Sequence, residues 1–494
     1  MEKVQIDLNR WIKESVREEE IKSFLGSSGN DFINEEEIEE LLRKERDPEP
    51  QKIRDIIQKS FSLERLNPDE TAALLNVEDE ELWAEIFQAA GEVKKRVYDN
   101  RIVTFAPLYL SNFCINSCLY CAFRKENKKA KRRRLTLEEV KKETESLVST
   151  GHKRLIVVYG EHPLSDIDYM VDTIRTIYET KIGNGEIRRV NVNAAPMTVE
   201  KLKRLKEVGI GTYQVFQETY HHKTYKGIHP AGIKSNYKWR LYALHRAQAA
   251  GIDDVAIGAL FGLYDWRFEV MGLVYHTIDL EKHFGGIGPH TISFPRLEPA
   301  ANTPFIQQTK CKVSDADFKK LIAVIRLSVP YTGMILTARE PANLRREVLH
   351  LGITQTDAST KIGVGAYSEN SGSQIPERQQ FLLGDTRSLD EVIREFAQMG
   401  YITSFCTAGY RCGRTGQSIM NLLKTGKERW FCKLNAVLTF REWLDDFAGE
   451  ETKKIGENLI KKEIIEIEQN LPGLFPKFME HYRRIENEER DIYF

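Results

Sequence analysis

Between positions 103 and 337 the chain repeats one alternation, a short run of β-branched and apolar residues followed by a helix-patterned stretch. The apolar runs are 103–110, 155–159, 190–193, 211–216, 255–260, 290–294 and 331–337. Helical periodicity marks 136–149, 199–208, 237–250, 316–327 and 344–351. Strand then helix, seven or eight times over roughly 260 residues, is the pattern of a parallel sheet closed into a (β/α)8 barrel. An α/β barrel of this kind takes about 250 residues, so a chain of 494 carries long extensions as well. Residues 1–100 are charged and helix-patterned, and helical patterning resumes from Ser388. The expected division is a helical N-terminal extension over 1–100, the TIM barrel over 101–375, and a helical C-terminal domain over 376–494.

The segment after the first apolar run holds three cysteines in eight residues, Cys114-Ile-Asn-Ser-Cys118-Leu-Tyr-Cys121. Thiolates this close together suit a soft, polarisable iron–sulfur cluster. Three donors on a four-iron cluster leave one iron open to a small molecule. Radical S-adenosylmethionine (SAM) chemistry needs that open iron, which chelates the methionine amino and carboxylate groups. One electron then cleaves the sulfonium to a 5′-deoxyadenosyl radical. Structural zinc usually takes four ligands as two spaced pairs, and no fourth Cys or His follows at ligand spacing. Cys114, Cys118 and Cys121 are therefore expected to hold a SAM-binding [4Fe–4S] cluster.

Barrel enzymes place their chemistry at the C-terminal ends of the strands. Polar and glycine residues gather there: Ser111-Asn112, Gly160-Glu161-His162, Gln217-Glu218-Thr219, Gly262 and Pro295-Arg296. Tyr120 is a candidate to pack on the adenine of SAM, with an ordinary core position the equal alternative. At Gly160 backbone can approach a ligand closely, and Glu161 can accept from the methionine ammonium. Glu218 and Arg240 are candidates for the ribose and carboxylate of the cofactor, with a surface salt bridge the equal alternative for Arg240. Arg296 and Arg339 offer planar forks that clasp a carboxylate, as an amino-acid substrate requires. An internal Arg339–Glu340 pair is the other reading. Cys406, Cys412 and Cys432 form a second thiol group around a Gly-containing turn, able to hold a second cluster, while Cys311 stands apart as an ordinary thiol.

Charge is balanced, 72 Lys+Arg against 73 Asp+Glu, which argues against nucleic-acid binding driven by bulk electrostatics. The basic run Lys128-Lys-Ala-Lys-Arg-Arg-Arg134 reads as a solvated loop or a contact for an anionic ligand or electron donor. No apolar run of about 18 residues or more marks a membrane span, and residues 1–7 lack the basic flank and apolar core of a signal peptide. Seven cysteines in such a chain imply a reducing, cytoplasmic setting, with thiols kept for metal.

The chain resembles the radical SAM tyrosine lyases that mature [FeFe]-hydrogenase, the HydG type. The runs that carry the resemblance include the cysteine motif with Ala-Phe-Arg after it, Gly160-Glu-His-Pro163, and Gly211-Thr-Tyr-Gln-Val-Phe-Gln-Glu-Thr-Tyr-His221. Gly288-Pro-His-Thr-Ile-Ser-Phe-Pro-Arg296, Gly333-Met-Ile-Leu-Thr-Ala-Arg-Glu340 and Ser404-Phe-Cys-Thr-Ala-Gly-Tyr-Arg-Cys-Gly-Arg-Thr-Gly416 extend it. The resemblance implies cleavage of the Cα–Cβ bond of L-tyrosine to p-cresol and dehydroglycine, then formation of carbon monoxide and cyanide near a C-terminal auxiliary cluster. It implies reduced ferredoxin or flavodoxin as electron donor, other hydrogenase maturases as partners, and His290 as a ligand to a labile iron, against a buried structural histidine. The family's auxiliary motif is C-x2-C, 22 residues, then Cys. Here position 409 is Gly and Cys412 lies three residues on. Cys406, Cys412 and Cys432 are the expected ligand set. The alternatives are a paralogue that stops at dehydroglycine (2-iminoacetate), or an iron–sulfur carrier without turnover.

Overall fold

The computed structural model describes residues 7–369 and 374–494; the opening segment read above for a leader lies outside them except for Asp7. Eight parallel strands close into a barrel: β1 (Arg101–Ser111), β2 (Arg154–Tyr159), β3 (Arg189–Asn193), β4 (Tyr213–Gln214), β5 (Val255–Gly258), β6 (Thr291–Ser293), β7 (Gly333–Leu336) and β8 (Gln355–Asp357). β8 closes on β1 through Val103–Gln355, Thr104–Thr356 and Phe105–Asp357. Every barrel pairing is parallel, so each connection must cross over, and helices supply the crossovers.

β1 is buried along its whole length. Such continuous burial fits a strand covered by helices outside and by barrel side chains within. The crossover helix Leu137–Val148 begins at a capping box, Thr136 with Glu139, which satisfies two of the first turn's orphan N–H groups.

The extensions are part of the same body. Helix Glu80–Tyr98 packs against helix Asp315–Ser328, and the Tyr98 hydroxyl donates to the Tyr331 carbonyl at 2.6 Å. At the C-terminal end a ninth parallel strand, β9 (Ile402–Ser404), pairs with Arg101–Val103 of β1. Gln380, Phe381 and Leu383, beyond the expected barrel limit at 375, line the pocket at the barrel mouth.

Helix Glu428–Asp446 is held under the barrel by Glu442, 1% exposed. Its carboxylate accepts from Lys153 Nζ at 2.7 Å and from Arg188 Nη2 at 2.6 Å. Burial pushes the carboxyl up, but Lys153 and Arg188 outweigh it and hold it down to about 2. A folded-state value below the unfolded one gives stability that is complete above about pH 4.5 and lost as pH falls toward 2. Urea unfolding at pH 7 and pH 3 is expected to show this loss, and Glu442→Gln to make it shallower.

Candidate functional site

The loop after β1 carries Cys114, Cys118 and Cys121 into the mouth pocket, and all three line it. Backbone bonds fix the loop: Ile115 N donates to Glu161 O at 3.0 Å, Ser117 N to Ala231 O at 3.1 Å, and Leu119 N to Ile228 O at 3.0 Å. Asn116 is the pivot. Its Nδ2 donates to Glu161 Oε2 at 2.5 Å and reaches Cys114 Sγ at 3.6 Å, while its Oδ1 accepts from Lys234 N at 3.0 Å. Burial pushes the Cys114 and Cys118 thiols up. Three thiols on one loop, with no further Cys or His among the described residues lining the pocket, fit a site-differentiated cluster.

Gly160 lines the mouth pocket and also lets the cysteine loop approach closely. A Cβ there would lie 2.2 Å from the Phe113 carbonyl oxygen. Gly160→Ala is expected to displace the cysteine loop, at a cost of about 1–3 kcal/mol, seen as a lower melting temperature and poorer retention of iron.

Opposite the cysteines, Glu218 has φ +73°, a left-handed backbone that non-glycine residues hold only where the surroundings enforce it. Its Oε1 accepts from Lys234 Nζ at 2.6 Å and Arg240 Nη2 at 3.3 Å. Burial raises this carboxyl, but Lys234 and Arg240 bring it below the usual range. Arg240 is thus a buried pocket residue, with Nε on the Phe216 carbonyl at 2.6 Å, and not the surface salt bridge that a helix position permitted. The Tyr120 hydroxyl lies 2.9 Å from His229 Nε2, and the other ring nitrogen lies 3.0 Å from the Tyr225 carbonyl. That tautomer makes Tyr120 the donor.

The two arginines at the mouth separate. Arg296 Nε bonds Glu340 Oε1 at 3.0 Å, and Nη1 bonds Asp315 Oδ1 at 2.8 Å. Its fork is spent on holding the rim, so the ion pair expected within 339–340 is Arg296–Glu340. Arg339 lines the pocket with its guanidinium 3.3 Å over the Phe381 ring. Its one side-chain bond among the described residues goes to the Arg296 carbonyl at 3.4 Å. Nearby, burial and Glu340 raise the Glu298 carboxyl to about 7.

The basic run is used locally. Arg132 donates to the Asn112, Phe123 and Arg124 carbonyls, Arg133 to Glu139 and Glu369, and Arg134 lies over the Tyr169 ring. Lys128, Lys129 and Lys131 remain exposed. Sequence reasoning missed Lys234, Asn116, His229 and Gln380, whose Nε2 reaches Cys121 Sγ at 3.6 Å. Each is distant from the motif in sequence or chemically ordinary within it.

A second polar group sits at the other end of the barrel. Arg101, Arg154 and Arg189 begin β1, β2 and β3, while Asp254 and His290 immediately precede β5 and β6. Cys406 follows β9 with φ +49°. Arg189 Nη1 bonds the Cys406 carbonyl at 3.2 Å and comes within 3.9 Å of its sulfur. Burial raises the Cys406 thiol, but Arg101, Arg189 and Arg154 outweigh it and lower it. Burial raises Cys432. His290 Nδ1 lies 3.2 Å from Asp254 Oδ1, and neither atom has an aligned hydrogen bond among the described residues. Cys412 is exposed on the turn after Arg411, its thiol 3.5 Å from the Phe494 carbonyl. The pair Cys406 and Cys432 therefore shares this end with His290, and Cys412 is the exposed thiol of the three. Two thiols are one fewer than such a cluster needs.

Residues 108–270 match the Radical SAM superfamily, and 293–402 match the Biotin and Thiamin Synthesis associated domain. A crystal structure of HydG, a maturase of the [FeFe]-hydrogenase, is 50% identical, covering 94% of this chain and 100% of that one, with a TM-score of 0.90. The chain belongs to the HydG family. The HydG of Carboxydothermus hydrogenoformans is 41% identical over 92% of this chain and 97% of its own, with a TM-score of 0.77. The 2-iminoacetate synthase of Salmonella typhimurium is 29% identical over 346 residues, 70% of this chain and 88% of that protein. As a HydG-type protein the chain is a radical SAM enzyme, a carbon–carbon lyase of the tyrosine-lyase kind that uses a [4Fe–4S] cluster and SAM. Among the described residues no helix is long and apolar enough to cross a membrane.

Proposed function

We propose that this enzyme cleaves L-tyrosine at Cα–Cβ to p-cresol and dehydroglycine. The same chain then converts dehydroglycine to carbon monoxide and cyanide for [FeFe]-hydrogenase. The observation that carries the first step is the pairing of three thiols with one uncommitted guanidinium, Arg339, in a single pocket. Cys114, Cys118 and Cys121 would hold the cluster, which with SAM supplies a hydrogen-abstracting radical. Tyr120, Gly160, Glu161, Glu218 and Arg240 form the wall on which SAM is oriented. Arg339 clasps the tyrosine carboxylate, and Arg296 holds the rim from which Arg339 projects. Segment 380–383 and the aromatic lining keep water from the reacting bond.

Dehydroglycine contains the atoms of one carbon monoxide, one hydrogen cyanide and one water, so the second conversion needs no further carbon or nitrogen source. The group around Cys406, Cys432 and His290 is the proposed place for it, with other maturases as partners, while reduced ferredoxin or flavodoxin is the electron donor for SAM cleavage at the mouth. A second reading stops at dehydroglycine, favoured by Gly409 and by the exposure of Cys412. Anaerobically reconstituted protein given SAM, tyrosine and a reductant is expected to release both p-cresol and cyanide. Release of p-cresol without cyanide would establish the second reading.

A further inference from the structure

Position 409 does not supply the missing donor. Apart from its chain neighbours and its own helix backbone, a Cβ built on Gly409 would meet nothing among the described residues nearer than Arg414 Nε at 4.0 Å. A different side chain lies against the remaining pair. Glu428 is four residues before Cys432 on the helix Glu428–Asp446, and this spacing stacks the two side chains on one face. Cys432 Sγ donates to Glu428 Oε1 at 3.2 Å.

Glu428 is only 4% exposed, and its second oxygen, Oε2, is buried without a hydrogen-bond partner among the described residues. A buried carboxylate oxygen left unpaired is costly, and natural structures seldom retain one without a partner such as a cation or metal. The cations facing it are Arg101 and Arg414. Arg101 is itself 5% exposed with Nε unpartnered, and Arg154 Nε beside it is in the same state. Guanidinium nitrogens and a carboxylate oxygen without partners among the described residues thus gather around the two thiols. This is the environment of a site completed by an anionic group.

We propose that Glu428 is the third protein donor of a second iron–sulfur centre, together with Cys406 and Cys432, and that Cys412 stands outside the set. The inference rests on the reading of Cys406 and Cys432 as donors and adds the residue that completes them. The proton shared between the Cys432 thiol and Glu428 leaves when both bind iron. The three strand-start guanidiniums then face the anionic cluster. A carboxylate oxygen is a harder donor than a thiolate, so the centre should exchange iron more readily than one held by three cysteines.

The full chain with Cys114, Cys118 and Cys121 changed to Ser isolates this centre. After anaerobic reconstitution it is expected to hold about four irons, one cluster, with matching sulfide and a paramagnetic signal on reduction. In that background Cys412→Ser should leave the iron count unchanged. Glu428→Ala should lower it at least about fivefold, and Glu428→Cys should restore it with a changed paramagnetic signal. If the background chain fails to fold, the same variants in the otherwise intact chain should take total iron from about eight to about four for Glu428→Ala alone. A full iron count in Glu428→Ala with loss in Cys412→Ser would overturn the proposal. An undiminished count in Cys406→Ser would instead overturn the reading of the cysteine pair, and the proposal with it.

Discussion

Cys118→Ala is expected to abolish reductive cleavage of SAM while the barrel stays folded. Cys118 is 5% exposed and packs in a small cluster with Tyr120, Ile228, Leu260 and Leu263 beside the mouth. Loss of its sulfur leaves two thiols, too few to hold a four-iron cluster with one open iron. The expected fall in 5′-deoxyadenosine is at least about a thousandfold, since no other group here supplies an electron to the sulfonium. The fold should lose only about 1 kcal/mol, the cost of a small cavity at the rim of a pocket. Chromatography of 5′-deoxyadenosine beside a thermal melt separates the two effects. Undiminished 5′-deoxyadenosine would reject these cysteines as the cluster ligands.

The second large effect is expected at Arg339. Removal of one partner from a buried, hydrogen-bonded charge pair costs about 2–5 kcal/mol. Arg339→Met should therefore reduce kcat/KM for tyrosine by roughly 30-fold to several thousandfold, mostly through KM. Arg296→Met should behave differently. It leaves Glu340, 1% exposed, without its cation and lowers stability by about 3–5 kcal/mol. Tyramine, which lacks the carboxylate, should be a poor substrate of the wild type and no worse for Arg339→Met. Equal turnover of tyramine and tyrosine by the wild type would remove Arg339 from the site.

The barrel was legible because most of its strands are apolar runs. Expected 103–110 and 155–159 fall within or on Arg101–Ser111 and Arg154–Tyr159. The eighth strand is absent from the apolar runs for a physical reason. Gln355–Asp357 is polar, and its side chains are satisfied inside the barrel: Gln355 Oε1 accepts from Arg154 Nη2 at 2.9 Å and Asp357 Oδ1 from Ala338 N at 2.7 Å. β9 is three residues within a helical region, too short for periodicity to reveal.

At the site, the cysteine spacing is a local signal and could be read directly. The division of labour between Arg296 and Arg339 could not, because it depends on Glu340 and Asp315 arriving on one side of the rim and Phe381 on the other. Lys234 and Glu428 were hidden for the same reason. Each is an ordinary charged residue in sequence and acquires meaning only from a burial partner, Glu218 in one case and Cys432 in the other.

β1 also sets a length. Arg101, beside the lower thiols, is its first residue, and Cys114 lies three positions past its last. Ten residue steps of about 3.3 Å separate the strand's ends by roughly 30 Å. A molecule the size of tyrosine cannot touch both. Any product of the mouth that is used at the far end must first exist as a free species, with a lifetime, a path and the chance of interception by a trapping reagent. What joins the two ends is transit time along a rigid rod of sheet.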